Sequence, residues 1–483
     1  MRLTKKIVAM SLVAALTAST MTACGEDNSD TPAPDNQETQ APDSDSDATA
    51  APEGEENEGG EVTDSGSKKR LEDLGGIEIK VGDFYTSPEE DLSTQYAEDT
   101  YNYRQEIFEK YNFTVTREKI SSFTDMAETF TTEVISGNPS MDIWYLYQDT
   151  VNEPLKNNLL YDLSKVKTVD FSEEKWNPQI KDLMTYNGGI YGMSTELEPR
   201  ACIFFNKRIL EEAGIPRDEP YELQASGEWT WAKFEEYCAK LTQDIDSDGV
   251  TDIYAMASFS KDYFKLAAAS NGAQFVSKDE NGKYVNATKS QNFLDAANWA
   301  TDLIKKGYIQ PKPEGASWDW FITAFRDGEC AMQTAEAYTV SSFSGSMDDE
   351  FGIVMFPASP NGSMVTVPFD NVVVVPSCFD DEYVEKIMFG YDLYTECTPN
   401  YTLDESWKQR YYSQFNDPER DVDETLALMR EDEHRIVDYQ SMISGTDYGD
   451  FTYPVQALAA TPAEQLEKIT PEWDSYIKKA NGE

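Results

Sequence analysis

The first 24 residues decide which part of this chain is left to fold. Arg2, Lys5 and Lys6 precede an apolar stretch from Ile7 to Ala18, and small residues then lead to Cys24. A run of that length fits the roughly 7–15 residues of an export signal's apolar core and falls short of the roughly 20 that span a bilayer. Residues 1–23 therefore read as a signal peptide. Gly25 to Ser67 follows with 14 Asp or Glu, four Pro and no Lys or Arg. Like charge with almost nothing apolar to bury cannot offset backbone entropy, so residues 24–73 read as a disordered, self-repelling acidic linker. What remains, 74–483, is long enough for two lobes with separate cores.

Removing Arg2, Lys5 and Lys6 with the signal takes the formal charge from −49 to −52. A surface this acidic repels phosphate backbones and anionic headgroups, which excludes a nucleic-acid partner and direct binding to a lipid surface. Besides Cys24 there are Cys202, Cys238, Cys330, Cys378 and Cys397, an odd number at wide spacing without a CxxC. They carry no zinc signature and no obligatory disulfide framework; one chance pair aside, they read as small buried apolar side chains. The junction Met21-Thr22-Ala23-Cys24 resembles the lipobox of bacterial lipoproteins, with Met21 where Leu is usual. That resemblance implies that Cys24 is acylated, with palmitate-type chains holding the protein on the outer face of the cytoplasmic membrane as its only membrane contact.

Past residue 75 the pattern is mixed α/β. Ile77, Ile79 and Val81 alternate, residues 100–111 carry apolar side chains at helical spacing, and Met141–Tyr147 is a second strand candidate. Ala201 to Phe205 reads as a buried strand followed by a helix that Gly214 and Pro216 stop, and Thr230 reads as the N-cap of a helix opening at Trp231. Strands alternating with helices imply a largely parallel sheet, whose ligands sit beyond the carboxyl ends of its strands.

From Asn187 the chain reads NGGIYGMSTELEPRACIFFNKRILEEAGIP, then GEWTWAKFEEYCAKLTQDIDSDGVTDIYA; Phe325-Arg-Asp-Gly-Glu-Cys-Ala-Met332 and the Gly352…Pro360…Gly362 stretch come later. In this order these segments resemble the extracellular solute-binding proteins of ABC importers, specifically the maltose-type (family 1) carbohydrate-binding group, over most of residues 76–400. The resemblance implies a two-lobe periplasmic-binding-protein-like fold of type II, with discontinuous lobes joined by hinge strands and a ligand cleft between them. Lobe 1 is expected over 74–195 and 331–371, and lobe 2 over 196–330 and 372–483, with crossings near Ser194–Arg200, Cys330–Ala335 and Phe369–Val374. It further implies a monomeric binding protein without enzymatic turnover or required cofactor. Such a protein captures a small solute, a mono- or oligosaccharide, and passes it to ABC permease transmembrane subunits as the lobes close.

Two rival readings share the export signal: a carbohydrate-active hydrolase and a surface adhesion or scaffold lipoprotein. The 89 acidic residues supply chance carboxylate pairs but no spacing that argues glycoside hydrolysis. The one histidine, His434, sits in the charged run 430–435, a solvated helix face, and there is no GxSxG, HExxH, P-loop or GxGxxG. Asp244, Asp246, Asp248, Gly249 and Asp252 match positions 1, 3, 5, 6 and 9 of a calcium loop, but position 12 is Ala255 rather than a bidentate Glu. A structural Ca2+ is weighed there against a simple polar turn.

A sugar cleft needs aromatic faces for the rings' C–H surfaces beside carboxylates, amides and guanidinium groups for their hydroxyls. The candidates are Asp83 and Tyr85; Trp144, Tyr147 and Asp149; and Glu196, Glu198 and Arg200. Farther along they are Trp231, Trp318, Trp320, Tyr338, Asp370 and Asn371, with Trp231 weighed also as a core residue. The resemblance favours Asp149, which follows a strand where the family presents a sugar-binding Asp.

Overall fold

Two four-stranded sheets organise the chain. The first takes β1 (Ile77–Asp83), β2 (Phe113–Lys119), β3 (Ile143–Leu146) and, from far along the sequence, β8 (Val372–Val374). The second takes β4 (Ala201–Asn206), β5 (Tyr254–Ser258), β6 (Cys330–Glu336) and β7 (Phe351–Val354). The computed structural model describes residues 70–87 and 92–483, all within one compact unit, Ser65–Glu483. The signal segment, Cys24 and the linker before Arg70 lie outside the described residues.

In the first sheet the order is β8-β3-β1-β2, with β2 and β3 parallel to β1 and β8 antiparallel to β3. Ile79 and Val81 of β1 are fully buried, as is β3 along its whole length. Helix α1 (Gln95–Tyr111) starts where the Thr94 side chain accepts the Ala97 N–H and stops at Asn112, whose φ of 53° breaks the helix. Helix α2 (Met126–Ser136) leads into β3. Leu71 packs on this lobe's core and Asp73 accepts the Asn112 amide at 2.9 Å, so ordered chain begins before residue 74, inside the expected linker.

In the second sheet the order is β7-β4-β6-β5: β6 runs parallel to β5 and antiparallel to β4. All six residues of β4 are buried, and the Asn206 side chain caps the following helix by accepting the Ile209 N–H at 3.1 Å. Gly352 in β7 has no room for a side chain, because a Cβ there would overlap the Tyr221 hydroxyl and the Phe205 ring. Helix α3 (Trp231–Leu241), capped by Thr230, and helix α4 (Ser260–Ser270) cover this sheet, with Trp229, Phe234, Phe275 and Trp473 in its core.

The sheets correct the expected lobe boundaries. Residues 331–371 supply most of β6 and all of β7 to the second sheet, and the segment from 372 opens with β8 of the first. Helix α5 (Trp320–Arg326) belongs to the second lobe, whereas α6 (Asp381–Tyr394) packs Val384, Ile387 and Phe389 into the core of the first. The chain therefore passes between lobes at 194–200, between β7 and β8, and again before helix α7 (Leu403–Tyr412). There is no crossing at Cys330–Ala335, because that stretch is an interior strand paired on both sides. A further link comes from the C-terminal part: Met442 is buried in a cluster of the first lobe with Met126 and Trp144, and Ser444 accepts the Asn152 amide at 2.9 Å.

Three buried aspartates give the fold a pH dependence. Burial pushes the carboxyl of Asp370 up to about 8, that of Asp421 to about 7 and that of Asp438 to about 6. Their unfolded values are near 3.8, so the native state holds these protons more tightly than the unfolded chain. Stability is then full below about pH 4 as far as these groups are concerned, and is lost as pH rises toward about 8. Self-repulsion of a chain carrying −49 acts in the same direction. We expect unfolding free energy to fall between pH 5 and pH 8 in urea titrations. Stability that rises over that interval would contradict this.

Candidate functional site

The carboxyl ends of the parallel strands face a common cleft of about 560 Å³ between the lobes. From β1 the chain delivers Phe84 and Tyr85, and from β3 Tyr147 and Asp149. From the second lobe the end of β5 delivers Phe259 and helix α4 delivers Lys261 and Lys265, while β6 ends on Glu336 and leads to Tyr338. The crossings add Glu196, Glu198 and Arg200 from one segment, and Phe369 and Asn371 from the other. Both lobes and two of the crossings therefore contribute, which is the arrangement expected at the switch points of open α/β sheets.

Seven aromatic side chains are exposed among the described residues, and four of them, Tyr85, Phe123, Trp318 and Tyr338, line this one cleft. Each is 43–50% exposed, so a large apolar face is left in water that a ligand would cover. The rings are held from behind. Phe259 meets Trp318 edge-on at 6.1 Å, and Tyr147 packs between Phe123 at 5.7 Å and Phe369 at 4.8 Å. Tyr85 receives a hydrogen bond from Arg117 at 2.9 Å, and Arg117 is held in turn by Asp83 at 2.8 Å.

Charges alternate with these rings. Arg200 donates to the Phe369 carbonyl and lies 3.7 Å from Glu336 and 3.8 Å from Asp370. Lys265 pairs with Asp262 at 3.0 Å; burial disfavours its ammonium, but Asp262, Asp149 and Glu336 outweigh this and hold its pKa above the ordinary value. Glu198 accepts hydrogen bonds from the Arg410 guanidinium and the Tyr411 hydroxyl. Asp149 stands open to cleft water yet is walled by protein, and this crowding raises its carboxyl pKa.

Of the residues singled out in the sequence, Tyr85, Tyr147, Asp149, Glu196, Glu198, Arg200, Trp318, Tyr338 and Asn371 line the cleft. Five do not. Trp144 is fully buried under Phe130, its indole N–H donating to the Met141 carbonyl at 2.9 Å. Trp231 stacks on Trp299 at 4.0 Å and donates to Ser270, and Trp320 is buried at the start of α5. Asp83 is buried and accepts the Tyr85 and Thr86 N–H groups, while Asp370 is buried and accepts from Asn177 at 2.8 Å and from the Glu198 N–H at 3.2 Å. Both aspartates shape the loops that carry cleft residues.

Phe123, Lys261, Asp262, Lys265, Glu336, Arg410 and Tyr448 line the cleft and were not singled out. The β5 end, Tyr254–Ser258 followed by Phe259, was open to the same strand-end reasoning as Asp149. Arg410 and Tyr448 lie in helices α7 and α8 (Tyr448–Gln456), with no local signal.

In the Asp-rich loop, oxygens of Asp244, Asp246 and Asp252 lie within 4.8 Å of one another, all exposed. Asp244 accepts the N–H groups of Asp248 and Gly249, and Asp252 accepts that of Ile245, so these carboxylates already hold the loop's own backbone. Ala255, at position 12, is buried in β5 and offers no side-chain oxygen. His434 is half-buried, with Nδ1 2.8 Å from the Met364 carbonyl oxygen, away from the cleft lining. All five described cysteines are free thiols. No helix among the described residues is long and apolar enough to cross a membrane.

The fold is that of known binding proteins. Similar structures include an ABC substrate-binding protein of Listeria monocytogenes in complex with cycloalternan, at 18% identity over 84% of this chain and 99% of that one, TM-score 0.57. The cyclic α-maltosyl-1,6-maltose binding protein of Arthrobacter globiformis aligns at 12% identity over 84% of this chain and 100% of its own, TM-score 0.61. UgpB of Mycobacterium tuberculosis, in complex with glycerophosphocholine, aligns at 14% identity over 84% and 99%, TM-score 0.60. No curated protein sequence matches the chain. The family pattern of bacterial extracellular solute-binding proteins matches residues 102–387, more than half of the sequence, and the chain belongs to that family.

Proposed function

We propose that this protein is the lipid-anchored binding component of an ABC importer, clasping a mono- or oligosaccharide between its lobes and handing it intact to the permease's transmembrane subunits. The observation that carries this reading is the convergence of four exposed aromatic faces on one interlobe cleft also lined by carboxylates, guanidinium and ammonium groups. Stacking on ring faces and hydrogen bonding of hydroxyls are then available side by side. Neighbours of the same fold carry cycloalternan, maltotetraose and mannotriose, which supports the carbohydrate reading. Binding without turnover is supported by the match to the family of bacterial extracellular solute-binding proteins.

A thermal-shift screen against neutral glycans tests the reading, with the ligand recovered and analysed afterwards. A raised melting temperature with intact ligand is the expected result. Release of reducing sugar would replace it with the hydrolase reading.

Anchoring is proposed through Cys24, with residues 25–69 as the stalk. The Cys24→Ala variant is expected to leave the membrane fraction or to retain its signal. A Cys24→Ala protein that stays membrane-bound with its signal removed would overturn the lipidation.

A further inference from the structure

Every cation that lines the cleft already has a carboxylate partner. Arg200 stands 3.7 Å from Glu336, Lys261 2.9 Å from Asp447 and Lys265 3.0 Å from Asp262, and Arg410 pairs with Glu198. The reverse does not hold. Asp149 and Glu196 also line the cleft, and among the described residues neither has a cationic group within ion-pair distance. Among the described residues the Glu196 carboxylate accepts only the Tyr85 hydroxyl, at 3.4 Å, and Lys265 and Lys261 act on Asp149 at longer range. The charge left over inside the cleft is therefore negative, and what it lacks is donors.

The aromatic faces point the same way. Arg117 lies over Tyr85 at 5.4 Å and Arg200 over Tyr338 at 5.8 Å, but no cation of the described residues stands over Trp318 or Phe123. An open indole or phenyl face in a cleft that also holds unpaired carboxylates attracts a positive charge by its quadrupole. At longer range a chain of net charge −49 raises the encounter rate of cations and repels anions.

We propose that the clasped solute carries a protonated amine, received by the unpaired carboxylates of Asp149 and Glu196 and the open ring faces of Trp318 and Phe123. The cleft then ranks an amino sugar above its neutral counterpart and an anionic sugar last. This rests on the carbohydrate reading above and narrows it to one class.

The test is calorimetric titration of the mature protein with three matched sets: glucose, galactose and mannose, their 2-amino-2-deoxy forms, and their uronic acids. In at least one stereochemical series the amine is expected to bind on the order of tenfold more tightly than the neutral sugar, and the uronic acid most weakly. In the isosteric Asp149→Asn/Glu196→Gln double variant, whose fold is checked by its melting curve, the amine-to-neutral ratio is expected to fall toward one. Neutral sugars binding as well as or better than amines would overturn the proposal and leave the carbohydrate reading standing, as would tighter binding of the uronic acids. Absence of binding across all three sets would overturn the proposal for these sugars and leave the oligosaccharide form of the carbohydrate reading standing. An amine preference that persists undiminished in the double variant would overturn the assignment to Asp149 and Glu196.

Discussion

Trp144→Ala is expected to cost the fold about 3–5 kcal/mol, while Trp318→Ala leaves the fold nearly unchanged and weakens solute binding by about 1 kcal/mol or more. The two tryptophans look alike in sequence, each beside carboxylates on a candidate cleft segment. Trp144 has no exposed surface, meets Phe130 edge-on at 5.5 Å and spends its indole N–H on the Met141 carbonyl. Truncation there opens a cavity in the first lobe and leaves a buried carbonyl without its donor. Trp318 is half exposed in the cleft lining, and its ring meets Phe259 edge-on. Urea denaturation and calorimetric titration of both variants separate the roles. A destabilised Trp318→Ala with wild-type affinity, or a stable Trp144→Ala with lost affinity, would reverse the assignment.

Arg117→Ala is expected to be similarly damaging, by about 3–5 kcal/mol, because it strands the carboxylate of Asp83 without a counter-charge. Asp83 is fully buried and receives two hydrogen bonds from Arg117, at 3.1 and 2.8 Å. The same guanidinium lies 4.7 Å from the centre of the Tyr145 ring and hydrogen-bonds the Tyr85 hydroxyl, so its loss also frees a cleft aromatic. Arg117→Lys keeps the charge but cannot reproduce the forked contact with Asp83 and Tyr85 together. It is expected to recover part of the stability while solute affinity stays reduced. Wild-type stability in Arg117→Ala, measured by urea denaturation, would contradict the account.

Strand-end reasoning is a good guide at several junctions of strand and loop. Asp149 follows β3, Tyr338 follows β6, and Glu196 to Arg200 lead into β4, and all lie in the cleft. It failed inside strands and at buried carboxylates. β3 is covered on both faces, so its residues show no alternation to tell Trp144 from a cleft residue. Asp370 reads as a surface charge in any local pattern, and the distant Asn177, Glu198 and Arg200 account for its burial. The lobe boundary was misplaced for a related reason. β6 lies between β4 and β5, and which sheet a strand joins depends on partners more than 70 residues away. Arg410 and Tyr448 reach the cleft from the C-terminal third, where nothing local marks them.

The central claim is that the interlobe cleft holds a carbohydrate, and the structure of the protein with the tightest-binding glycan tests it most directly. The account predicts a sugar ring against at least one of Trp318, Tyr338, Tyr85 and Phe123, with Asp149 or Glu196 accepting hydrogen bonds from it. A ligand bound elsewhere on the molecule, or seated in the cleft without touching any of these six side chains, would contradict it.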